Sequence, residues 1–492
     1  MKIDGINLRI DEVEDVSRNF EPVELSVDTF DNIDRSVKFI EDILKEGRVV
    51  YGINTGFGKL CEKVITLEDA SILQKNLLLS HASGTGPPLS QEEVRAAILV
   101  RANSLVRGFS AVRREIIQKL IDILNLKIYP YVPSYGSLGA SGDLAPLAHI
   151  ALILLGRGRV IKNKEILDAL PILLEAGFKP VENLMPKEGL ALINGTAVES
   201  GIAAILVQDA NYLFDVSLKA ATLSMEALRA KREPFDKRIH KLRNSKEQEE
   251  VAERILMEVE GSKLMDSAFK VQDAYSIRCI PQVYGAVLKN MRCVEETISQ
   301  EINAVTDNPL IFEGDGDVLT GGNFHAEPIA FAMDILGMVF TDMGNMVERR
   351  INRLLNPALS GLPPFLTERA GIQSGLMILQ YIVASLLSEN KILSHPASCD
   401  SISVSADQED HVSMGMNAVI KAKKILDNFR KITSCELIVA AQGADFCDSK
   451  LLGQRTGETY RRIREVVPFA YEDREFSYDI DKIEGILQKK EL

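Results

Sequence analysis

Tryptophan is absent from the 492 residues, and phenylalanine and tyrosine bring the aromatic share to only 6%. Any absorption beyond the tyrosine band would therefore have to come from another chromophore. Basic residues are also in deficit, because 57 lysines and arginines face 70 aspartates and glutamates and leave a net charge of −13. Nucleic acids and anionic membranes attract basic faces, so the composition argues against either as a partner.

Cysteine is sparse, and none of its six copies forms a CxxC pair. This scatter is typical of buried thiols in a reducing compartment, and not of a disulfide framework or a zinc site. The six residues are Cys61, Cys279, Cys293, Cys399, Cys435 and Cys447.

Long apolar runs are missing as well. The run from Ala145 to Leu155 contains His149 and is shorter than the roughly 20 residues that span a bilayer. The N-terminal residues from Met1 to Gly5 show no signal-peptide pattern. We therefore expect a cytoplasmic protein that has no membrane partner.

Helical periodicity dominates what is present. Apolar residues recur every three to four positions over five long stretches, which predicts long α-helices. Such helices bury their apolar faces in bundles, and long bundles tend to pack into symmetric oligomers. We predict a mainly α fold, with a long central helix bundle and a loop-rich N-terminal part that carries the active-site loops. The stretches are 195–232, 282–304, 325–355, 369–393 and 412–443.

No linker or internal repeat divides the chain, so we predict a single domain over residues 1–492. Within it, residues 1–200 should be rich in loops, and residues 200–492 should form a helix bundle. Local signals place some boundaries. Ser90 and Glu93 have the spacing of a capping box and predict a helix that runs to about Arg107. Ser110 is expected to cap the next helix. The residues from Arg159 onward predict a small hairpin.

The most unusual chemistry is in the tripeptide Ala140-Ser141-Gly142. Glycine lacks a Cβ, so the Gly142 nitrogen can approach and attack the carbonyl carbon of Ala140 at little steric cost. A five-membered ring then closes, and loss of the Ser141 hydroxyl as water leaves an exocyclic methylene. The product is a carbon electrophile made from the backbone and one serine.

A plainer interpretation competes with this one. Glycines and serines at this density usually form a tight turn, in which Ser141 or Asp143 caps the helix that Leu144 begins. A phosphate cradle is a weaker alternative, since the glycine spacing fits neither GxGxxG nor a Walker loop. Taken alone, the tripeptide favours the turn.

Polar islands elsewhere each have a functional and a structural interpretation. Tyr51 stands beside three glycines and could act as an acid or base, although its ordinary pKa near 10 would need help. His81 could bind a ligand, and a hydrogen-bonded structural histidine is the alternative. Asn194 is explained fully as an N-cap. Arg278, near Gln272 and Tyr275, is a candidate clamp for a substrate carboxylate, or a member of a buried ion pair.

Two further islands contain Phe324 and Glu409. The acidic residues around Glu409 would ordinarily form a solvated face. His325 and His411 raise the question of a metal, but neither HxxxH nor HxH spacing is present. The sequence therefore predicts no metal site.

Together the islands resemble the aromatic amino-acid ammonia-lyases, whose electrophile is a self-made 4-methylideneimidazol-5-one (MIO) ring. The resemblance covers nearly the whole chain. Five motifs occur in the family's order and spacing, namely Tyr51–Gly58, Gly136–Leu147, Gly189–Thr196, Thr306–Pro309 and Gly321–Pro328.

The resemblance implies that Ala140-Ser141-Gly142 forms the MIO ring and that no external cofactor is needed. It also implies a homotetramer whose sites are shared between chains. It further implies that Tyr51 removes the β-proton and that Arg278 binds the substrate carboxylate. Tyr275 would lie near the electrophile, and Phe324 would pack beside it. Asn194 and Gln272 would line the site.

The expected substrate is L-histidine and the product trans-urocanate, since Ser80-His81 and the segment around Glu409 resemble the members of the family that act on histidine. A carboxylate can accept a hydrogen bond from an imidazole N–H, worth roughly 1.5–3 kcal/mol, whereas a phenyl ring would leave Glu409 desolvated. A tyrosine or phenylalanine lyase or aminomutase is the main alternative. A non-catalytic helical oligomer and a fumarase-like lyase are more remote, because Tyr51 and the tripeptide are intact.

Overall fold

The structure is a computed structural model that describes residues 1–56, 58 and 62–492. Phe57, in the Tyr51–Gly58 motif, and Cys61 lie outside the described residues. The chain divides into two compact units that do not follow chain order, so the predicted division near residue 200 within one domain stays a prediction. Unit 1 is Met1–Gln208, Val294–Asp334 and Pro396–Ile420, and unit 2 is Asp209–Cys293, Ile335–His395 and Lys421–Leu492.

Helices account for most of the described residues, which confirms the predicted mainly α class. Numbered α1 to α19 in chain order, they are Ile10–Arg18, Phe30–Lys45, Leu67–His81, Gln91–Leu105, Arg114–Asn125, Leu144–Leu154, Ala169–Glu175, Glu188–Ile193, Ala197–Ala227, Lys237–Arg243, Lys246–Glu258, Tyr275–Arg278, Ile280–Glu301, Glu327–Leu355, Pro357–Ser360, Met377–Leu393, Gly415–Asp445, Gln454–Val466 and Phe476–Gln488.

The strands of the described residues form small two-stranded sheets. β1 pairs with β2 in parallel, whereas β3–β4, β5–β6 and β7–β8 are antiparallel. The hairpin expected from Arg159 is present as β5–β6. The strands β1 to β8 are Lys2–Ile3, Glu24–Leu25, Thr85–Pro88, Pro133–Tyr135, Arg159–Lys162, Glu165–Asp168, Leu310–Phe312 and Asp317–Leu319.

The long helices appear where the apolar periodicity predicts them, with one shifted start. The stretch 369–393 becomes a helix only from Met377. Gly371 and Gly375 adopt φ values of +97° and +56° before it. These left-handed conformations do not continue a right-handed helix, so the first residues of the stretch form turns.

Helix capping follows the prediction at one helix and departs from it at the next. Ser90 and Glu93 form the capping box of α4. Helix α5 begins only at Arg114, and Ser110 does not cap it. Ala111 has a φ of +49°, which turns the chain between Ser110 and the helix.

Three almost fully buried helices, α4, α6 and α8, form the core around which the loops of unit 1 are placed. Helix α6 packs against α3 and α8. It begins directly after the Ala140-Ser141-Gly142 tripeptide and Asp143, and α8 ends directly before Asn194. The core therefore fixes both segments from their helical ends.

One helix of the described residues, α14, is long and apolar enough to cross a membrane by length and composition. However, 61% of its most apolar window is buried inside the protein. Burial against protein is the pattern of a core helix, and a core helix passes the same test.

Candidate active site

The tripeptide lies in a loop between β4 and α6, and its glycine is locked against a second glycine. Gly142 has a φ of +71°, and a Cβ built on it would lie 2.6 Å from the Gly195 Cα. The two glycines form a backbone bridge, and the Asp143 N–H donates to the Gly195 carbonyl at 2.8 Å. Only glycine fits this approach.

Asn194 holds the carbonyl of the central serine. Its Nδ2 donates to the Ser141 carbonyl oxygen at 3.0 Å. Asn194 occupies the C-cap position of α8, so the sequence interpretation of an N-cap is wrong. Its Oδ1 is buried and has no hydrogen-bond partner among the described residues. The side chain is therefore committed to the Ser141 peptide.

Glu409 holds the hydroxyl of the same serine. Ser141 Oγ donates to Glu409 Oε1 at 3.0 Å. The carboxylate is carried by a tight loop in which the Val404 N–H donates to the Glu409 carbonyl at 3.1 Å. Glu409 is half-buried, so it does not belong to the solvated acidic face that composition alone favours.

Two other segments fasten the tripeptide loop from its N-terminal side. The Met414 N–H donates to the Leu138 carbonyl at 2.9 Å, and Ser413 Oγ donates to the Gly139 carbonyl at 3.2 Å. The Ala326 N–H also donates to the Gly139 carbonyl, at 3.3 Å. This last bond places the segment that contains Phe324 beside the loop.

Two buried carboxyl groups lie close together near the tripeptide, namely Asp143, which follows it directly in the chain, and Glu199. Asp143 Oδ2 accepts the backbone N–H groups of Val198 at 2.8 Å and Glu199 at 3.0 Å, in the first turn of α9. Glu199 Oε1 accepts from Ser137 Oγ at 3.1 Å, and a Cβ on Gly415 would lie 2.9 Å from the Glu199 carboxyl carbon. Glu199, in the first turn of α9, thus packs against the tripeptide loop and the start of α17.

These two carboxyl groups share an unusual protonation. Burial raises the pKa of Asp143 to about 6, although hydrogen bonds from Glu199 and Val198 oppose the rise. Burial, followed by the charge of Asp143, raises the pKa of Glu199 well above its usual range. The helix dipole of α9 favours an anion at Asp143. Of the two carboxyl groups, Glu199 is therefore the one more readily protonated.

Tyr51 and His81 also belong to unit 1. Tyr51 is half-buried, and its hydroxyl accepts the Gly58 N–H at 3.4 Å. A Cβ on Gly52 would lie 2.7 Å from Leu190 Cδ2, so the Tyr51 loop packs on α8, the helix that leads into Asn194.

His81 is the last residue of α3, and its Nδ1 lies 2.9 Å from the Leu77 carbonyl oxygen. A carbonyl can only accept, so Nδ1 donates. In the neutral ring Nε2 then carries the lone pair.

The remaining predicted residues, Gln272, Tyr275 and Arg278, belong to unit 2. Gln272 and Tyr275 are exposed, Tyr275 to 70%, and they flank the start of the short helix α12. The Arg278 guanidinium carbon lies 4.6 Å from the centre of the Tyr275 ring. Arg278 Nε is buried and has no hydrogen-bond partner among the described residues. The interpretation of Arg278 as half of a buried ion pair therefore gains no support in unit 2.

Around Ser141, unit 1 assembles groups from three distant segments. The structure brings Asn194 and Glu409 onto Ser141 and fastens the Phe324 segment to the same loop. Sequence reasoning missed Glu199 as a site residue, and it treated Asp143 only as a possible cap. The one available signal was a pair of acidic residues close after the islands, with Asp143 directly after Gly142 and Glu199 three residues after Thr196.

Known proteins with similar sequences and structures give a consistent result. The family model "Aromatic amino acid lyase" matches residues 8–465. A histidine ammonia-lyase of Caldanaerobacter subterraneus subsp. tengcongensis is 47% identical over 99% of this chain and 96% of its own length. The crystal structure of histidine ammonia-lyase from Trypanosoma cruzi is 39% identical, with a TM-score of 0.93 over 99% of this chain and 93% of that one. A tyrosine aminomutase from Streptomyces globisporus is 34% identical, with a TM-score of 0.95 over 100% of this chain and 97% of that one.

The mainly α-helical fold matches the solved structure of an ammonia-lyase over nearly its full length, and the protein is an ammonia-lyase. The full-length matches make the assignment narrower. The chain belongs to the aromatic amino acid lyase family.

Proposed function

We propose that the protein catalyses the non-oxidative deamination of L-histidine to trans-urocanate and ammonia. One observation carries the proposal. Ser141, the central residue of the ring-forming tripeptide, is held by Asn194 at its carbonyl and by Glu409 at its hydroxyl. The full-length similarity to histidine ammonia-lyases supports the same activity.

The residues present fit an MIO ring. Ring closure joins the Gly142 nitrogen to the Ala140 carbonyl carbon and releases one water, and loss of the Ser141 hydroxyl releases a second. The Ser141 carbonyl oxygen stays on the ring, and this is the oxygen to which Asn194 donates. The missing Cβ at Gly142 is required by its approach to Gly195. When formed, the ring would supply a carbon electrophile to the bound substrate.

Side chains of the protein would bind and orient the amino acid. Tyr51 would remove the β-proton from its glycine-rich loop, and Arg278 would bind the substrate carboxylate in a bidentate fashion. Tyr275 would lie near the electrophile, Gln272 would line the site, and Phe324 would pack beside the ring. Fixing the substrate in this way replaces a chance encounter by an oriented one.

Selectivity for histidine would come from Glu409 and His81. The carboxylate of Glu409 would accept a hydrogen bond from the substrate imidazole, and loss of the Ser141 hydroxyl on ring formation would remove the present donor to Glu409. His81 Nε2, which carries the lone pair of its neutral ring, would accept the second N–H that a protonated substrate imidazole offers. Tyrosine would satisfy Glu409 only through its hydroxyl.

We also propose that the protein is a cytoplasmic homotetramer with sites shared between chains. In unit 2, Phe269 and Val271 expose almost all of their side chains, and the nearby Tyr275 is 70% exposed. Exposed apolar clusters of this kind favour contact with another chain. Their position beside Gln272 and Arg278 supports a second chain as the source of part of each site.

Substrate profiling of the purified protein tests the proposed activity. The protein is incubated separately with L-histidine, L-tyrosine and L-phenylalanine, and ammonia and the unsaturated acid are measured. We expect urocanate from L-histidine and little product from the others, together with an intact mass two waters below that of the polypeptide. Ser141→Ala is the matched control, and it should fold normally, keep the polypeptide mass and produce no urocanate. An unmodified mass in the wild-type protein would instead support a non-catalytic helical oligomer.

An aminomutase is the second candidate, because the tyrosine aminomutase structure matches the whole chain. A mutase returns ammonia to the β-carbon, so it would convert L-tyrosine to a β-amino acid with little free ammonia. Release of equal amounts of ammonia and urocanate from L-histidine would exclude it.

A further inference from the structure

Three side chains with metal-ligating atoms converge in unit 1, outside the groups that contact Ser141. His325 Nδ1 lies 4.0 Å and His411 Nε2 lies 3.8 Å from the same oxygen, Glu327 Oε2. All three ligand atoms lie within 4.8 Å of one another. The two histidines are 86 residues apart, so spacing within a motif could not have indicated the cluster.

The orientation of His325 is that of a metal ligand. Its Nε2 lies 3.3 Å from the His411 carbonyl oxygen. Because a carbonyl can only accept, Nε2 donates, and in the neutral ring the Nδ1 lone pair is left on the side of Glu327. Histidine ligands are typically fixed through a hydrogen bond from the second ring nitrogen.

Glu327 lacks the partner that a buried carboxylate oxygen needs. Its Oε2 is buried and has no hydrogen-bond partner among the described residues. The two nearby imidazoles are parallel to within 4°, with ring centres 5.6 Å apart. A cation placed between the three side chains would compensate the carboxylate, and two neutral imidazoles would complete its ligand set.

We propose that His325 Nδ1, Glu327 Oε2 and His411 Nε2 bind a divalent first-row transition-metal ion of the Zn²⁺ class. Two nitrogens and one carboxylate oxygen suit zinc, whereas calcium and magnesium prefer oxygen ligands alone. Metal–ligand bonds of about 2.0–2.2 Å require only a small contraction of the cluster. The His411 side chain is 65% exposed and has room for it. Three protein ligands leave a fourth position for water.

A bound ion would connect two loops of the candidate site. His325 follows Phe324 directly, and His411 lies two residues after Glu409. The ion would therefore restrain the segment that packs on Gly139 against the loop that carries Glu409. This inference does not depend on the proposed deamination, because it concerns metal binding alone.

Titration of the full-length protein with Co²⁺ tests the site, after chelator treatment and removal of the chelator. Co²⁺ bound to nitrogen and oxygen ligands in a tetrahedral site absorbs in the visible region, where the polypeptide does not absorb. We expect one Co²⁺ per chain, displaced by Zn²⁺. Glu327→Gln and His411→Gln should each weaken Co²⁺ affinity by at least about tenfold. His395→Gln, which changes an exposed histidine in unit 2, should leave the affinity unchanged.

Several results would overturn the proposal. One is that no visible absorption appears at saturating Co²⁺. Another is that the wild type and both cluster variants bind Co²⁺ with equal affinity. A third is a thiolate-to-cobalt band in the near ultraviolet. The last result would assign the ion to a cysteine. Circular dichroism of each variant separates loss of binding from loss of folding, and His411→Gln alters a loop side chain that is 65% exposed.

Discussion

Ser141 Oγ donates a hydrogen bond to Glu409 Oε1 at 3.0 Å, although the two residues are 268 positions apart in the chain. The same carboxylate is the group we propose for recognition of the substrate imidazole. Formation of the MIO ring would remove the Ser141 hydroxyl as water. Glu409 would then pass from holding the unprocessed loop to binding the substrate.

Replacement of Glu409 by glutamine should lower kcat/KM for L-histidine by about tenfold, because a hydrogen bond to a neutral amide is roughly half as strong as one to a carboxylate. Steady-state kinetics measures the change, and intact mass checks that the ring still forms. Asp410→Asn, which removes a neighbouring exposed carboxylate, is the control and should behave as wild type. Equal losses in both variants would contradict a specific role for Glu409.

Replacement of Tyr51 by phenylalanine should lower kcat by about 10²–10⁴-fold, the range for loss of a general base. The intact mass should stay two waters below that of the polypeptide. The variant keeps the aromatic ring and loses only the hydroxyl, which accepts a hydrogen bond from the Gly58 N–H, and circular dichroism should show a folded protein. Tyr478→Phe, at a tyrosine that is 65% exposed, serves as the matched control. Full turnover in Tyr51→Phe would assign the base to another group.

Replacement of Gly142 by alanine should abolish ring formation and destabilise the protein. The left-handed φ alone costs roughly 1–2 kcal/mol, and the new Cβ would collide with the Gly195 backbone. Gly485→Ala is the control, since Gly485 lies within α19 with no atom near its added Cβ. There alanine should stabilise the helix by about 0.5–1 kcal/mol. Denaturant unfolding and intact mass report the two effects separately.

Replacement of Glu199 by glutamine should change how stability depends on pH. The folded-state pKa of both Glu199 and Asp143 is raised, so the folded protein binds more protons than the unfolded chain above about pH 4. The pair's contribution to stability is therefore complete at low pH and declines as pH rises through the folded pKa values. Glutamine at position 199 keeps a neutral side chain and removes one of these titrations.

Melting temperatures of wild type and Glu199→Gln between pH 5 and pH 8 measure this difference. The melting temperature of the variant relative to wild type should rise with pH. Glu301→Gln serves as a comparison variant. It alters another carboxyl group whose pKa is raised by burial, and this group does not belong to the Asp143–Glu199 pair. A constant difference between Glu199→Gln and wild type across the range would mean that Glu199 is ionised throughout.

Much of the structure of this protein can be predicted from residues that are close together in the chain. The capping box at Ser90 and Glu93 acts within one helical turn, and the long helices follow from the three-to-four-residue spacing of their apolar side chains. The ring chemistry of Ala140-Ser141-Gly142 likewise needs only three neighbours. Periodicity and local covalent chemistry are short-range properties, so the linear order of residues determines them.

Tertiary packing determines which side chains surround the tripeptide. Asp143 directly precedes α6, yet its side chain accepts hydrogen bonds from the first turn of α9. Glu409, Glu199 and the His325–Glu327–His411 cluster gain their significance only from segments that meet after folding. Such contacts depend on how buried helices fix the ends of distant loops. No spacing in the sequence encodes that distance, and only the tertiary structure could bring Ser141 and Glu409 together.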